Sequence, residues 1–82
     1  MAFHFSKTAS KKLESYQPKL RKRIVDAIEL LPNQGNIRPI HSSEIAELYR
    51  LRLGGIRVIF QKLQSDIKIL LIDSRGDIYK KI

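Results

Sequence analysis

The chain has no cysteine and no tryptophan, one methionine and only two histidines. Without cysteine there can be neither a disulfide framework nor a thiolate metal site. His4 and His41 have no carboxylate cluster near them in sequence, which argues against a metal centre, and His41 reads as a surface loop residue. Glycine is scarce, four residues, and none builds a nucleotide-binding phosphate loop. Long apolar runs are missing too. The longest, Ile69-Leu70-Leu71-Ile72, is far too short to span a bilayer. The opening Met1-Ala2-Phe3-His4-Phe5-Ser6-Lys7 lacks the charged start and long apolar stretch of a secretion signal, so a cytoplasmic protein is expected. There are no internal repeats, linkers or low-complexity tracts.

Acidic residues are also few. Eight Asp and Glu stand against sixteen Lys and Arg, a net charge of +8. Such a balance suggests a polyanionic partner: nucleic acid, an acidic protein or an anionic membrane surface. Charge alone does not choose among them. A length of 82 residues predicts a single domain spanning 1–82. A chain this size buries about 60–65% of its unfolded surface, so its stability should be modest. An apolar content of 43% places it among globular rather than disordered chains.

Phe3 and Phe5 alternate with Ala2 and His4, the pattern of a short strand ending at Ser6. Ser6 or Thr8 can cap a helix ending near Tyr16, with Ala9, Leu13 and Tyr16 on one face. Pro18 suits the first position of a second helix, whose stripe is Leu20, Ile24, Ala27, Ile28 and Leu31. Pro32-Asn33-Gln34-Gly35-Asn36 ends it. So short a connection predicts an antiparallel helix pair. Lys11, Lys12, Lys19, Arg21, Lys22 and Arg23 fall off the apolar stripes and read as a solvated face. Residues 36–44 read as loop. Strands follow over 47–53, 56–63 and 67–73, and a turn at 74–77 leads to a short last element over 78–82. The predicted fold is α+β, in the order β-α-α-β-β-β: a curved, mainly antiparallel sheet with the helix pair on one face.

Gly54-Gly55 is a strong two-residue hairpin signal, and it sets a register. Leu53 pairs with Ile56, Arg52 with Arg57, Leu51 with Val58, Arg50 with Ile59, and Tyr49 with Phe60. Paired residues share a face and faces alternate along a strand. One face therefore carries Tyr49, Leu51, Leu53, Ile56, Val58 and Phe60, for the helices to cover. The other carries Arg50, Arg52 and Arg57. Like charges directly opposite each other destabilise a ladder, and no acidic residue is expected in register to relieve them. Three arginines on one face suit an anion, since guanidinium groups can grip phosphate with two donors.

The segment Leu48-Tyr49-Arg50-Leu51-Arg52-Leu53-Gly54-Gly55-Ile56-Arg57-Val58-Ile59-Phe60 resembles the central hairpin of RelE-type toxins of the RelE/ParE superfamily. Ile72-Asp73-Ser74-Arg75-Gly76-Asp77-Ile78-Tyr79 resembles their last strand and its C-terminal motif, and Arg38-Pro39-Ile40 falls where they carry a short basic loop. The resemblance implies the toxin of a toxin–antitoxin pair, a ribosome-dependent endoribonuclease that cuts messenger RNA in the A site. It implies catalytic roles for Arg57, Arg75 and Tyr79, substrate binding by Arg50 and Arg52, no metal and no cofactor. Its implied partners are the ribosome, the message, and a cognate antitoxin that is acidic or amphipathic and folds on binding. One departure is Ser74, where many relatives have histidine. Two other readings use the same residues: a ParE-type inhibitor of DNA gyrase without nuclease activity, and a non-catalytic RNA-binding module.

Overall fold

The computed structural model describes residues 2–41 and 44–74. Strand β1 (Ala2–Phe5) leads into helices α1 (Lys7–Ser15) and α2 (Pro18–Glu29), followed by β2 (Asn36–Pro39), β3 (Leu48–Leu53), β4 (Ile56–Lys62) and β5 (Asp66–Asp73). The strands form one open sheet in the order β1-β5-β4-β3-β2. Neighbours are antiparallel except β1 and β5, which run parallel with Phe3 opposite Ile67 and Phe5 opposite Ile69. This is an α+β fold with a mainly antiparallel sheet.

Each helix start has a local cause. The Ser6 hydroxyl accepts from the Ala9 N–H at 3.0 Å, capping α1, and donates to the Leu70 carbonyl at 2.6 Å. One side chain thus ends β1, starts α1 and ties both to β5. Pro18 begins α2, where its missing N–H costs nothing. Between β3 and β4, Gly54 takes a φ of +58°, as a tight hairpin needs. Every expected pair of that hairpin is present, from Leu53 with Ile56 to Tyr49 with Phe60. Gly35, at φ +120°, is needed for space as well: a Cβ there would lie 2.7 Å from Leu51 Cδ1.

The core lies between the helices and one sheet face. Ala9, Ile24, Ile28 and Leu31 pack against Leu51, Ile56, Val58, Phe60, Ile67, Ile69 and Ile72. A β-bulge between β4 and β5, at Ile59/Phe60, shifts the pairing so that Ile59 meets Leu71 and Phe60 meets Ile69.

Three expectations are corrected. Residues 36–39 are strand β2, not loop, pairing antiparallel with β3 from Asn36 opposite Arg52 to Pro39 opposite Tyr49. The element is short, opens on asparagine and closes on proline, so it carries loop composition, although an edge strand tolerates proline. The basic helix residues are not all solvated. Lys12 reaches the Asp73 carboxylate at 3.8 Å, and half-buried Arg21 donates to the Tyr16 carbonyl at 3.1 Å. The arginine-bearing face is not arginine alone either: Leu48 and Ile59 are buried on it beneath a second apolar cluster with Ile40, Ile45, Leu70 and Leu71. The helices leave that face uncovered, and Ile40 and Ile45 cover part of it instead.

Candidate nucleic-acid interface

Strand pairing arranges the second face in two rows. The first runs Asn36, Arg52, Arg57, Asp73 across β2, β3, β4 and β5; the second runs Arg38, Arg50, Ile59, Leu71. Two arginine pairs therefore stand directly opposite each other, Arg52 with Arg57 and Arg38 with Arg50. Arg38 and Arg52 are exposed, Arg50 and Arg57 half-buried. Arg38 lies where the sequence predicts a loop. The alternation Asn36-Ile37-Arg38, with Ile37 inward against Leu51, was the signal that could have found it.

Like-charged neighbours in a ladder are unfavourable by roughly 0.2–1 kcal/mol. Arg38, Arg52 and Arg57 form no ion pair with a carboxylate among the described residues. The apolar cluster beside them lowers the local dielectric, which strengthens any contact with an incoming anion. The arrangement can hold more than one phosphate oxygen through planar, always-charged donors.

An acidic residue does stand in register, contrary to expectation: Asp73 pairs with Arg57 from the other side of the hairpin. Its carboxylate is engaged elsewhere. Asp73 is only 4% exposed, accepts from the Ser74 N–H at 2.7 Å and lies 3.8 Å from Lys12 Nζ. The Lys12 ammonium in turn lies 5.7 Å from the centre of the Tyr16 ring. The hairpin alone could not reveal this neighbour, because the register of β5 depends on the bulge.

The two described tyrosines, Tyr16 and Tyr49, are not primed as bases. Burial, and then the negative charge of Asp73, raise the Tyr16 phenol above its ordinary value, with Ser74 acting in the opposite sense. Tyr49 is stacked on Phe60 with ring centres 5.6 Å apart, and its hydroxyl donates to Glu47 Oε2 at 2.8 Å. That hydrogen bond is the largest cause raising the Tyr49 phenol, followed by desolvation and the Glu47 charge. Of the expected site residues, Arg50, Arg52 and Arg57 come together on one face. Arg75 and Tyr79 lie outside the described residues, as does the turn and last element expected over 75–82; Ser74 is exposed.

No family model matches the chain. No curated protein sequence matches it. Its similarity to solved structures is extensive. A chain of the RelB–RelE antitoxin–toxin complex from Methanococcus jannaschii superposes with a TM-score of 0.74 at 26% identity, covering 96% of this chain and 98% of that one. The isolated E. coli RelE toxin superposes at 0.68, with 15% identity over 96% of this chain and 90% of that one. The chain has the RelE/ParE toxin fold. A chain of the chromosomal ParDE TA system from P. aeruginosa also matches, at 0.58 and 21% identity over 89% and 94% of the two chains. The RelE/ParE fold therefore spans both kinds of toxin, and the choice between them falls to the site. No helix among the described residues is long and apolar enough to cross a membrane.

Proposed function

We propose that residues 1–82 form a toxin domain that cleaves messenger RNA in the ribosomal A site and is held inactive by a cognate antitoxin. The observation that carries this reading is the pair of arginine rows on the sheet face the helices leave open. A solvated surface would gain nothing from setting four guanidinium groups in opposed pairs, whereas a polyphosphate strand gains most from that spacing. The RelB–RelE structures that it resembles are antitoxin–toxin complexes, which supports an antitoxin as partner. A charge of +8 favours an acidic or amphipathic one that folds on binding. The place of action follows from the ribosome: the cytoplasm.

The reaction is attack of a ribose 2′-OH on the adjacent phosphorus, breaking the bond to the 5′-oxygen and leaving a 2′,3′-cyclic phosphate. It needs a base, stabilisation of the phosphorane charge, and a proton for the leaving oxygen. In our reading Arg57 and Arg52 hold the phosphate, while Arg50 and Arg75 position the strand or stabilise the charge on the leaving oxygen, which takes its proton from water. Tyr79 is the base in this reading, since a cation brought near a phenol favours its phenolate. Tyr16 and Tyr49 are poorly suited, because their surroundings favour the neutral phenol. Ser74 stands where many relatives carry histidine, which places more of the proton transfer on Tyr79. No metal or cofactor enters this scheme.

Primer extension on a message translated with and without the protein tests the proposal. Fresh breaks inside codons, dependent on ribosomes, are expected. An intact message together with trapped gyrase–DNA cleavage complexes would identify a gyrase inhibitor instead. Bound but uncut message would identify a non-catalytic RNA-binding module.

A further inference from the structure

Two recesses meet at the free end of β2. One, of about 310 Å3, is lined by Arg38, Pro39, Ile40 and Arg50. The other, of about 410 Å3, shares Pro39 and Ile40 as its wall and continues past Ile45 to Glu47 and Tyr49. The first is cationic. The second sets the apolar side chains of Ile40 and Ile45 beside the Glu47 carboxylate and the Tyr49 ring, and His41 lines it as well. A phosphate and the base of one nucleotide can use that pairing: a cationic seat next to a slot whose apolar walls meet polar and aromatic side chains.

Glu47 is held firmly in place. Its backbone lies in the left-handed region at φ 55°, which few residues other than glycine adopt readily. Its carbonyl accepts from the Lys62 N–H at 2.9 Å, and the neighbouring Ala46 carbonyl accepts from Gln61 Nε2 at 3.1 Å. Oxygen Oε2 accepts from the Tyr49 hydroxyl at 2.8 Å; among the described residues Oε1 has no hydrogen-bond partner. A carboxylate accepts and never donates. It matches a base edge rich in N–H donors, such as the amino group of cytosine or adenine, or the adjacent N1–H and amino group of guanine. Uracil offers one N–H flanked by two carbonyl oxygens, which the carboxylate repels.

Building on the RNA interface above, we propose that the cleft at Ile40, Ile45 and Glu47 receives a nucleobase of the strand held by Arg38 and Arg50, and that Glu47 selects amino-bearing bases over uracil.

The test is fluorescence anisotropy with labelled 2′-O-methyl hexanucleotides of cytosine, adenine or uracil at low salt. The methyl group blocks the attacking oxygen, so binding is read without cleavage. Wild type is expected to bind the cytosine and adenine oligomers about tenfold more tightly than the uracil oligomer. Glu47→Gln keeps an acceptor for the Tyr49 hydroxyl but gains a donor. It should bind all three somewhat better, for loss of a negative charge, while the preference collapses to within about twofold. Tyr49→Phe releases Oε2 and should keep or enlarge the preference. Arg38→Ala should weaken all three oligomers alike. Equal binding of the three by wild type, or a preference that survives Glu47→Gln, would overturn the base-reading cleft and leave the RNA interface standing. Binding of none by wild type would overturn both.

Discussion

The two faces of this sheet are built on opposite principles. The face toward the helices is apolar and closed: Val58, Phe60, Ile67 and Ile69, with Ile24 and Ile28 of α2 packed against them, are essentially inaccessible to solvent. The other face sets arginine opposite arginine twice, and Arg52 and Arg57 face each other with no ion-paired carboxylate among the described residues. The strands are the same, and their alternation separates an apolar surface from one that sets paired arginines beside a small apolar cluster. Unfavourable arrangements of this kind concentrate where a ligand is expected to relieve them.

The largest expected effect lies on the closed face. Phe60→Ala removes a fully buried ring and its stacking on Tyr49, costing about 3–5 kcal/mol. That is a large share of the roughly 5–15 kcal/mol available to a small domain, so urea titration should find the variant largely unfolded. A native-like midpoint would mean that the faces differ less than their packing implies.

Asp73 links the two faces, since its register partner is Arg57 while its carboxylate turns to Lys12 and the Ser74 N–H. Asp73→Asn weakens a charged hydrogen bond and loses the ion pair, at a cost of about 1–2 kcal/mol. The Tyr16 phenol should titrate closer to its ordinary value in the same variant, read by NMR of labelled tyrosine. If stability falls and Tyr16 does not respond, the faces are joined by packing and not by charge.

A smaller change is expected on the open face, and of opposite sign. Arg52→Ala relieves the pair with Arg57 and should raise stability by about 0.2–1 kcal/mol at low salt, while weakening RNA binding. The gain should shrink as salt screens the repulsion. A loss of stability would show that the pair is not strained.

The least of the expected effects is seen at high pH. Tyr16 and Tyr49 are both raised in the folded protein, so their neutral forms favour folding. Above about pH 10 the unfolded chain loses its phenolic protons first, and stability falls as pH rises through the folded values. Below about pH 10 the contribution is fully present. Tyr16→Phe and Tyr49→Phe should each flatten that decline in a chemical denaturation series.

Much of this was legible in the sequence. Gly54-Gly55 permits only a narrow set of turns, and the period of two then places every residue of the hairpin, arginines included. The helices were legible from Ser6, Pro18 and their apolar stripes. What escaped depends on contacts distant in sequence. Strand β2 is defined by pairing with β3 and not by its own four residues, so local composition predicts a loop at Arg38. Asp73 meets Arg57 only after the bulge at Ile59/Phe60 sets the register of β5. The burial of Ile59 needs the chain around Ile40 and Ile45 to fold back over it. No local pattern announces such a return.

The most direct test of the open face as the RNA-processing surface is single-turnover cleavage of a message on programmed ribosomes. It should compare wild type, Arg57→Ala, and the double variant Lys19→Ala with Arg23→Ala, which removes two exposed helix charges. Arg57→Ala should cut roughly 10²–10³ more slowly, because it loses a contact strongest in the transition state. The double variant, despite losing twice the charge, should stay within about threefold of wild type, since those charges are solvated and screened. Arg57→Ala cutting at the wild-type rate, or the double variant cutting as slowly as Arg57→Ala, would contradict the account.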